Sequence, residues 1–379
     1  MRINSEKGRA FVYQASTAIV LIALLWWVFG NMTHNIQERG IKTGFSFLDA
    51  TAGFDISESP VPFTPDSTHL DVFVTGLMNT LIVSVWGVIL SSILGLFIGI
   101  GRLSSNWLIN RISAGYIEIF RNIPLLLQIL FWYNVVLSSL PGARSSLSFF
   151  DAIFICNRGV YLPRVMMGYA GWSIMALTLA MSVAVCFAAK KRASKGDTKT
   201  TTSVYLLPGI VAASGFALIY GLGLATVEIP HLKAFNFSGG KVYTPEFLAL
   251  LFALSIYTAA FIAEAVRSGI EAVPAGQKEA AASLGLSRAA QMRLVILPQA
   301  IRVAVPPIIN QYLNLIKNSS LAAAIGYPEL VTVFAGTSLN QTGQAVEIIA
   351  MTMVTYLLIS LLVSLLLNYL DRVMKTETR

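Results

Sequence analysis

The sequence predicts an all-α, polytopic membrane helical bundle with about eight transmembrane helices. Three observations carry this expectation. Of 379 residues, 55% are hydrophobic and only 12% charged, against about 25% charged in a soluble domain. The mean hydropathy is +0.68. Apolar runs recur at 11–30, 73–101, 112–138, 165–189, 203–224, 246–266, 300–326 and 345–370, most of them near the ~20 residues that span the hydrocarbon as a helix. A helix satisfies its own backbone hydrogen bonds in lipid, whereas a membrane β-barrel would show alternating segments of about ten residues, which are absent from the sequence.

The first run follows Arg2, Lys7 and Arg9 and contains Trp26 and Trp27. Its length, with no clear cleavage site after it, predicts an uncleaved anchor rather than a signal peptide. The second run contains Gly95 and Gly99, a GxxxG pair that predicts close helix packing. In the third, Pro124 predicts a bend. The seventh is interrupted by Asn310, Gln311, Asn314 and Lys317. The formal charge of +8 lies between the apolar runs, so it predicts orientation and not nucleic-acid binding. With both termini inside, most of the 27 Lys and Arg residues fall in inner segments, as the positive-inside rule requires. KKRASKGDTK at 190–199 is the strongest single signal. Cys156 in a loop and Cys186 in an apolar run predict no disulfide, and His34, His69 and His231 have no metal-ligand spacing.

The inner segment between the sixth and seventh runs contains EAAASLGLSRAAQMRLVILP at 279–298. Pro274 suits the start of a helix, and Gly285 a left-handed cap after it. Ser287 can cap a second short helix, and Pro298 should interrupt that helix before the next span. The spacing therefore predicts a compact helical hairpin at 274–298. Ala280, Ala281 and Ala282 would let a partner approach the backbone closely, with Lys278, Glu279 and Arg288 as a charged rim. From composition alone, a plain surface helix linking two spans is the favoured reading.

The residues Glu279-Ala280-Ala281, Gly285 and Val295-Ile296-Leu297-Pro298 resemble the EAA loop of ABC import permeases. YIEIFRNIPLLLQ at 116–128, FIAEAVRSGIEAVPAGQKEAAASLGLS at 261–287 and NLIKNSSLAAAIGYPEL at 314–330 resemble its polar amino-acid uptake branch. The enlarged layout is similar to that of the longer general L-amino-acid permeases. Val295 stands where isoleucine is commoner, and Arg121-Asn122-Ile123-Pro124 replaces an Arg-Gly-Thr-Pro version. The resemblance implies a five-helix permease core over 71–138 and 246–379. Residues 1–70 would form an anchor and periplasmic loop, and 139–245 an insertion with two extra spans. It also implies that Glu279, Ala280, Ala281, Gly285, Arg288 and Pro298 couple to an ATPase.

Asn310, Asn314 and Lys317 follow i, i+4, i+7 and would share one helix face. Such groups within a bilayer are costly and usually face a cavity or partner. They are candidates for the substrate path, where Lys317 would meet a substrate carboxylate or an interhelical acid. Gln128 and Asn134 are further cavity candidates. Glu118 and Arg121, three apart, are expected to pair as a gate or a structural contact. The chain lacks GxxxxGK[ST], HExxH and any nucleophile–base set, so no catalytic residue, metal or cofactor is expected in it. ATP and Mg would be held by a partner ABC ATPase dimer. The other expected partners are a second, related permease subunit, a periplasmic amino-acid-binding protein, an L-amino acid and membrane lipid. The expected setting is the bacterial inner membrane. An ion-gradient-driven secondary transporter is the alternative, and a membrane enzyme a weaker one.

Overall fold

The computed structural model describes residues 6–38, 40, 43–193, 200–233 and 235–376. The termini and much of the basic 190–199 segment, on which the sequence orientation leans, lie outside these residues. Among the described residues, six helices are long and apolar enough to cross a membrane, or seven if one bent pair is a single span. Two compact units divide the chain, Met1–Ile129 with Leu250–Arg379, and Leu130–Ala249.

The first unit begins with α1 (Glu6–Glu38), whose described side chains are all partly or fully exposed. A helix apolar on every side and uncovered by its own chain fits a lipid environment. Next come α2 (His69–Arg102) and α3 (Trp107–Asn122). The chain then turns by 105° into α4 (Leu125–Leu130) at Ile123-Pro124, as Pro124 predicts. The later part holds α7 (Pro245–Glu271, in this unit from Leu250), α8 (Ala275–Ser283), α9 (Arg288–Gln291), α10 (Leu297–Asn318), α11 (Leu339–Thr342) and α12 (Ala345–Thr376).

α7 is the buried centre of this unit. Leu250, Leu254, Ala259, Ala260 and Ala263 have no exposed surface. The GxxxG of α2 makes this possible. A β-carbon on Gly95 would stand 2.6 Å from Ile262 and 3.0 Å from the Ala259 carbonyl, and one on Gly99 2.8 Å from the Ala263 carbonyl. Further along α7, a β-carbon on Gly269 would lie 2.8 Å from the Ala300 carbonyl of α10. Small residues thus bring three backbones nearly into contact, which raises dispersion gain where lipid offers no hydrophobic drive.

At the other end, the segment after α1 folds onto the bundle. Phe47, Ala52 and Ile56 bury themselves against Val72, Leu330, Val333, Phe334 and Ile348. Gly44 donates its N–H to Glu347 Oε1 at 2.6 Å, and Thr68 and Asp71 close a reciprocal capping box at the start of α2. The buried carboxylate of Glu329 accepts from the N–H groups of Val331 and Thr332, from the Thr332 hydroxyl and from Tyr356 Oη.

In the second unit, α5 (Tyr169–Ala193) and α6 (Thr200–Gly221) pack as a hairpin. Among the described residues, eight short strands flank it, which an all-helical reading of the sequence does not predict. They are β1 (Leu147–Phe149), β2 (Ile153–Cys156), β3 (Gly159–Leu162), β4 (Arg164–Met167), β5 (Ala225–Glu228), β6 (His231–Lys233), β7 (Asn236–Ser238) and β8 (Lys241–Tyr243). The antiparallel sheets run β1-β2-β3-β8, β4-β5 and β6-β7. The apolar run expected from 165 therefore starts as a strand, and Cys156 lies buried in β2 rather than in a loop. Both cysteines are free, as expected. Cys156 packs with Ala143, Tyr161 and Phe237, and Tyr161 Oη donates to Asn236 Oδ1 at 2.9 Å.

Two stability outcomes follow from these contacts. Gly95→Leu should destabilise the chain by about 1–3 kcal/mol or more through overpacking, whereas Gly115→Ala, with nothing within 4 Å of the added atom, should be near neutral. Thermal unfolding in detergent compares the two, and equal midpoints would refute the close-packing account. Glu329→Gln turns one acceptor into a donor facing N–H groups, so it should cost about 1–3 kcal/mol in the same assay.

Candidate functional site

Two features converge on α10: a helical hairpin before it and an uncovered polar face along it. In the hairpin, Pro274 stands at the cap position of α8. Gly285 then takes φ +71°, the left-handed conformation expected of it, and its N–H donates to the Ala282 carbonyl while that of Leu286 donates to Ala281. Ser287 Oγ accepts the Ala290 N–H, capping α9. A π-helical stretch, Met292–Ile296, leads directly into α10. Pro298 therefore does not interrupt this path. It lies in the first turn of α10, directly after the π-helical stretch.

The hairpin is rooted in the bundle by Val273, Ile296 and Ala300, with Ile270 beside them. One face of α8 turns inward, since Lys278 is half-buried and Ala281 buried, three residues apart. This corrects the expectation that all three alanines face a partner. The outward face consists of Glu279, Ala280 and Ala282, and ends at Leu284, which is 80% exposed. Arg288 is also exposed. The Glu279 carboxylate has no partner among the described residues. Leu284 escapes a sequence reading because an apolar residue in a short amphipathic helix looks like core.

Along α10, Asn310, Asn314 and Lys317 are all exposed, while Ile309, Leu315 and Ile316 are buried. The stripe is therefore a single helix face that this chain leaves uncovered. None of the three side chains has a hydrogen-bonded or ionic partner among the described residues. Lys317 opens onto a groove of about 440 Å³, lined also by Ser320, Thr352, Tyr356 and Ser360, with Met353 as part of its apolar wall. The Ser360 hydroxyl is buried without a partner, and Tyr356 Oη is held by the Glu329 carboxylate at 2.9 Å. Ser320, Thr352, Tyr356 and Ser360 come from elements the i, i+4, i+7 pattern does not reach. An ammonium beside hydroxyls in a largely apolar groove can hold a carboxylate.

Other expected residues serve elsewhere. Gln128 is buried, and its Nε2 donates to the Phe120 and Ile123 carbonyls at 3.1 and 3.0 Å. It ties the backbone at the Pro124 bend, where a proline leaves carbonyls without their helical donor, and it does not line the Lys317 groove. Asn134 Nδ2 donates to the Leu130 carbonyl. Glu118 and Arg121 do not pair. The Arg121 guanidinium lies 5.2 Å over the Phe261 ring instead, a cation–π contact favoured where water is scarce. An ion cluster does form on α7, where Arg267 Nε donates to Glu264 Oε2 at 2.9 Å and the same guanidinium reaches Glu271. Its i, i+3, i+4 spacing is visible in the sequence.

Residues 205–376 match the family described as "Binding-protein-dependent transport system inner membrane component". The chain is 47% identical to YhdX of Escherichia coli K12 over 96% of its own length and 93% of that protein. It is 43% identical to AapQ of Rhizobium johnstonii, a general L-amino acid transport system permease protein, over 98% of this chain and 94% of that one. It is 40% identical to BztB of Rhodobacter capsulatus, a glutamate/glutamine/aspartate/asparagine transport system permease protein, over 100% and 96%. A solved amino acid ABC transporter structure aligns over 80% of this chain and 94% of its own at 24% identity, with a TM-score of 0.49. The relatives are named as permeases, not enzymes, and with such identity along nearly its whole length this chain belongs to the amino-acid ABC transporter permeases.

Proposed function

We propose that the chain is the membrane subunit of an ATP-driven L-amino-acid importer and that α8–α9 is where a partner ATPase dimer pushes on it. The outward face of Glu279, Ala280, Ala282 and Leu284 suits a groove on that partner. Gly285 and Arg288 would shape and charge its end, and Pro298 would start the span that follows. ATP and Mg are bound by the ATPase. A second, related permease chain faces the α10 stripe, and the amino acid crosses between the two. The setting is the bacterial inner membrane with both termini cytoplasmic, and a periplasmic binding protein delivers the solute. AapQ and BztB, by name a general permease and one for acidic amino acids and their amides, support an L-amino acid as cargo.

The observation that carries this reading is the uncovered stripe ending in Lys317. A lysine in a membrane segment costs up to about 2.5–3.5 kcal/mol, the value at mid-span, and Lys317, in the last turn of α10, has no ion-pair partner among the described residues to offset it. Water and a passing carboxylate would do so. Of the acids in or near spans, Glu264 is tied to Arg267 and one oxygen of Glu347 to Gly44, while Glu118 stands exposed on α3.

In proteoliposomes holding both permeases and the ATPases, Lys317→Met should lower binding-protein-dependent amino-acid uptake by about tenfold or more, a loss of roughly 1.4 kcal/mol. Lys317→Arg should retain part of it. Unchanged uptake and unchanged substrate preference in Lys317→Met would remove Lys317 from the path.

A further inference from the structure

Within the Leu130–Ala249 unit, the tip of the β1–β2 hairpin departs from its own turn chemistry. The Ala152 N–H donates to the Phe149 carbonyl, closing a turn whose central residues, Phe150 and Asp151, both have positive φ, 55° and 50°. These are the left-handed non-glycine residues among the described ones. Such a turn is the I′ type, which favours Asn-Gly because a β-carbon is disfavoured there. A phenylalanine in this region is an outlier. Packing does not hold it, because Phe150 is 96% exposed, and Phe149 beside it is half exposed. A side chain kept against the local rule, and projecting fully, points to use by something outside the chain.

The surroundings indicate its chemistry. The strand-bearing segments 139–168 and 222–244 carry five cations, Arg144, Arg158, Arg164, Lys233 and Lys241, against Asp151 and Glu228. All five cations are exposed. Lys241 faces Leu162, one residue beyond the Tyr161–Phe154 pair, so it and Arg164 lie toward the end of the sheet that carries the tip, whereas Arg144 and Arg158 lie toward its other end. An aromatic anchor with cations at its edge is the anatomy of a protein docking site.

We propose that the Phe150 tip is a docking contact for the solute-binding protein on which this family depends, and that the docked face of that protein is acidic. The inference rests on the proposed topology with both termini cytoplasmic, in which the segments after the third and fifth apolar runs, and so these sheets, face outward. Charge complementarity selects an acidic partner face. A bilayer surface is the competing occupant, and Asp151 speaks against it, because inserting the ring would press a carboxylate toward the headgroups.

The test uses the assembled transporter in nanodiscs, with its cognate binding protein, loaded with amino acid, titrated in while ATP hydrolysis is followed. Phe150→Asn with Asp151→Gly installs the residues this turn prefers, so the hairpin keeps its fold while the ring is lost. The binding-protein concentration giving half-maximal stimulation should rise about tenfold or more, with basal hydrolysis unchanged. Arg164→Glu with Lys241→Glu should weaken docking likewise, and added salt should weaken the parent. An unchanged titration in the turn variant overturns the proposal. So does quenching of Phe150→Trp fluorescence by brominated lipid, which would assign the tip to the bilayer. Labelling Phe150→Cys on intact cells with an impermeant maleimide separates the causes. Labelling from outside with unchanged stimulation sinks the docking contact alone. Labelling above the parent's level only after membrane disruption sinks the topology as well.

Discussion

Everything in the larger unit depends on how closely three helix backbones approach one another. Gly95 and Gly99 admit the α7 carbonyls of Ala259 and Ala263, and Gly269 admits the Ala300 carbonyl of α10. In lipid, separated helices lose little by facing hydrocarbon, so association must come from contact itself. Glycine maximises that contact, and any β-carbon at these positions forces the backbones apart. The last of the three contacts lies at the root of the α8–α9 hairpin, where Val273, Ile296 and Ala300 also meet. The two flanks of the hairpin are therefore joined directly, not merely through the hairpin.

That junction links the two candidate features. A force on the exposed face of α8 reaches α10 by the chain itself and also across the Gly269–Ala300 contact. α10 carries Asn310, Asn314 and Lys317 on its uncovered face. The groove at Lys317 is closed on its far side by α12, through Thr352, Tyr356 and Ser360. Tyr356 is in turn held by Glu329, whose carboxylate caps the chain entering residues 331–332. A rotation of α10 against α12 would alter this groove without unfolding either helix. Only a preference of ATP for one arrangement can drive such a rotation.

Much of this was legible in the sequence, for local reasons. Helix length, the Pro124 bend, the Gly285 cap, the Ser287 cap and the GxxxG contact each depend on residues close together in the chain. The α10 stripe follows from helical period alone. What escaped the sequence depends on distant partners. Arg121 prefers the Phe261 ring to nearby Glu118 because α7 lies beside it. Gln128 is drawn to the carbonyls that the bend exposes, and Ala281 is buried because the hairpin folds back on its root. The eight strands were missed because each has only three or four residues, too short for an alternating pattern to stand out from a loop. The family resemblance named the loop at 279–298, but not which of its alanines faces outward.

The central claim is that the α8–α9 hairpin and α10 move as one body. Spin labels at Ala282, on the outward face of α8, and at Asn314, on the α10 stripe, measure this by pulsed electron resonance in the assembled transporter. Between nucleotide-free and ATP-trapped states, the distance within this chain should stay constant to about 2 Å, while that from Asn314 to the proposed second permease changes by more. A change within the chain of about 5 Å, one helical turn, would mean that the hairpin slides on its root, and would contradict the account.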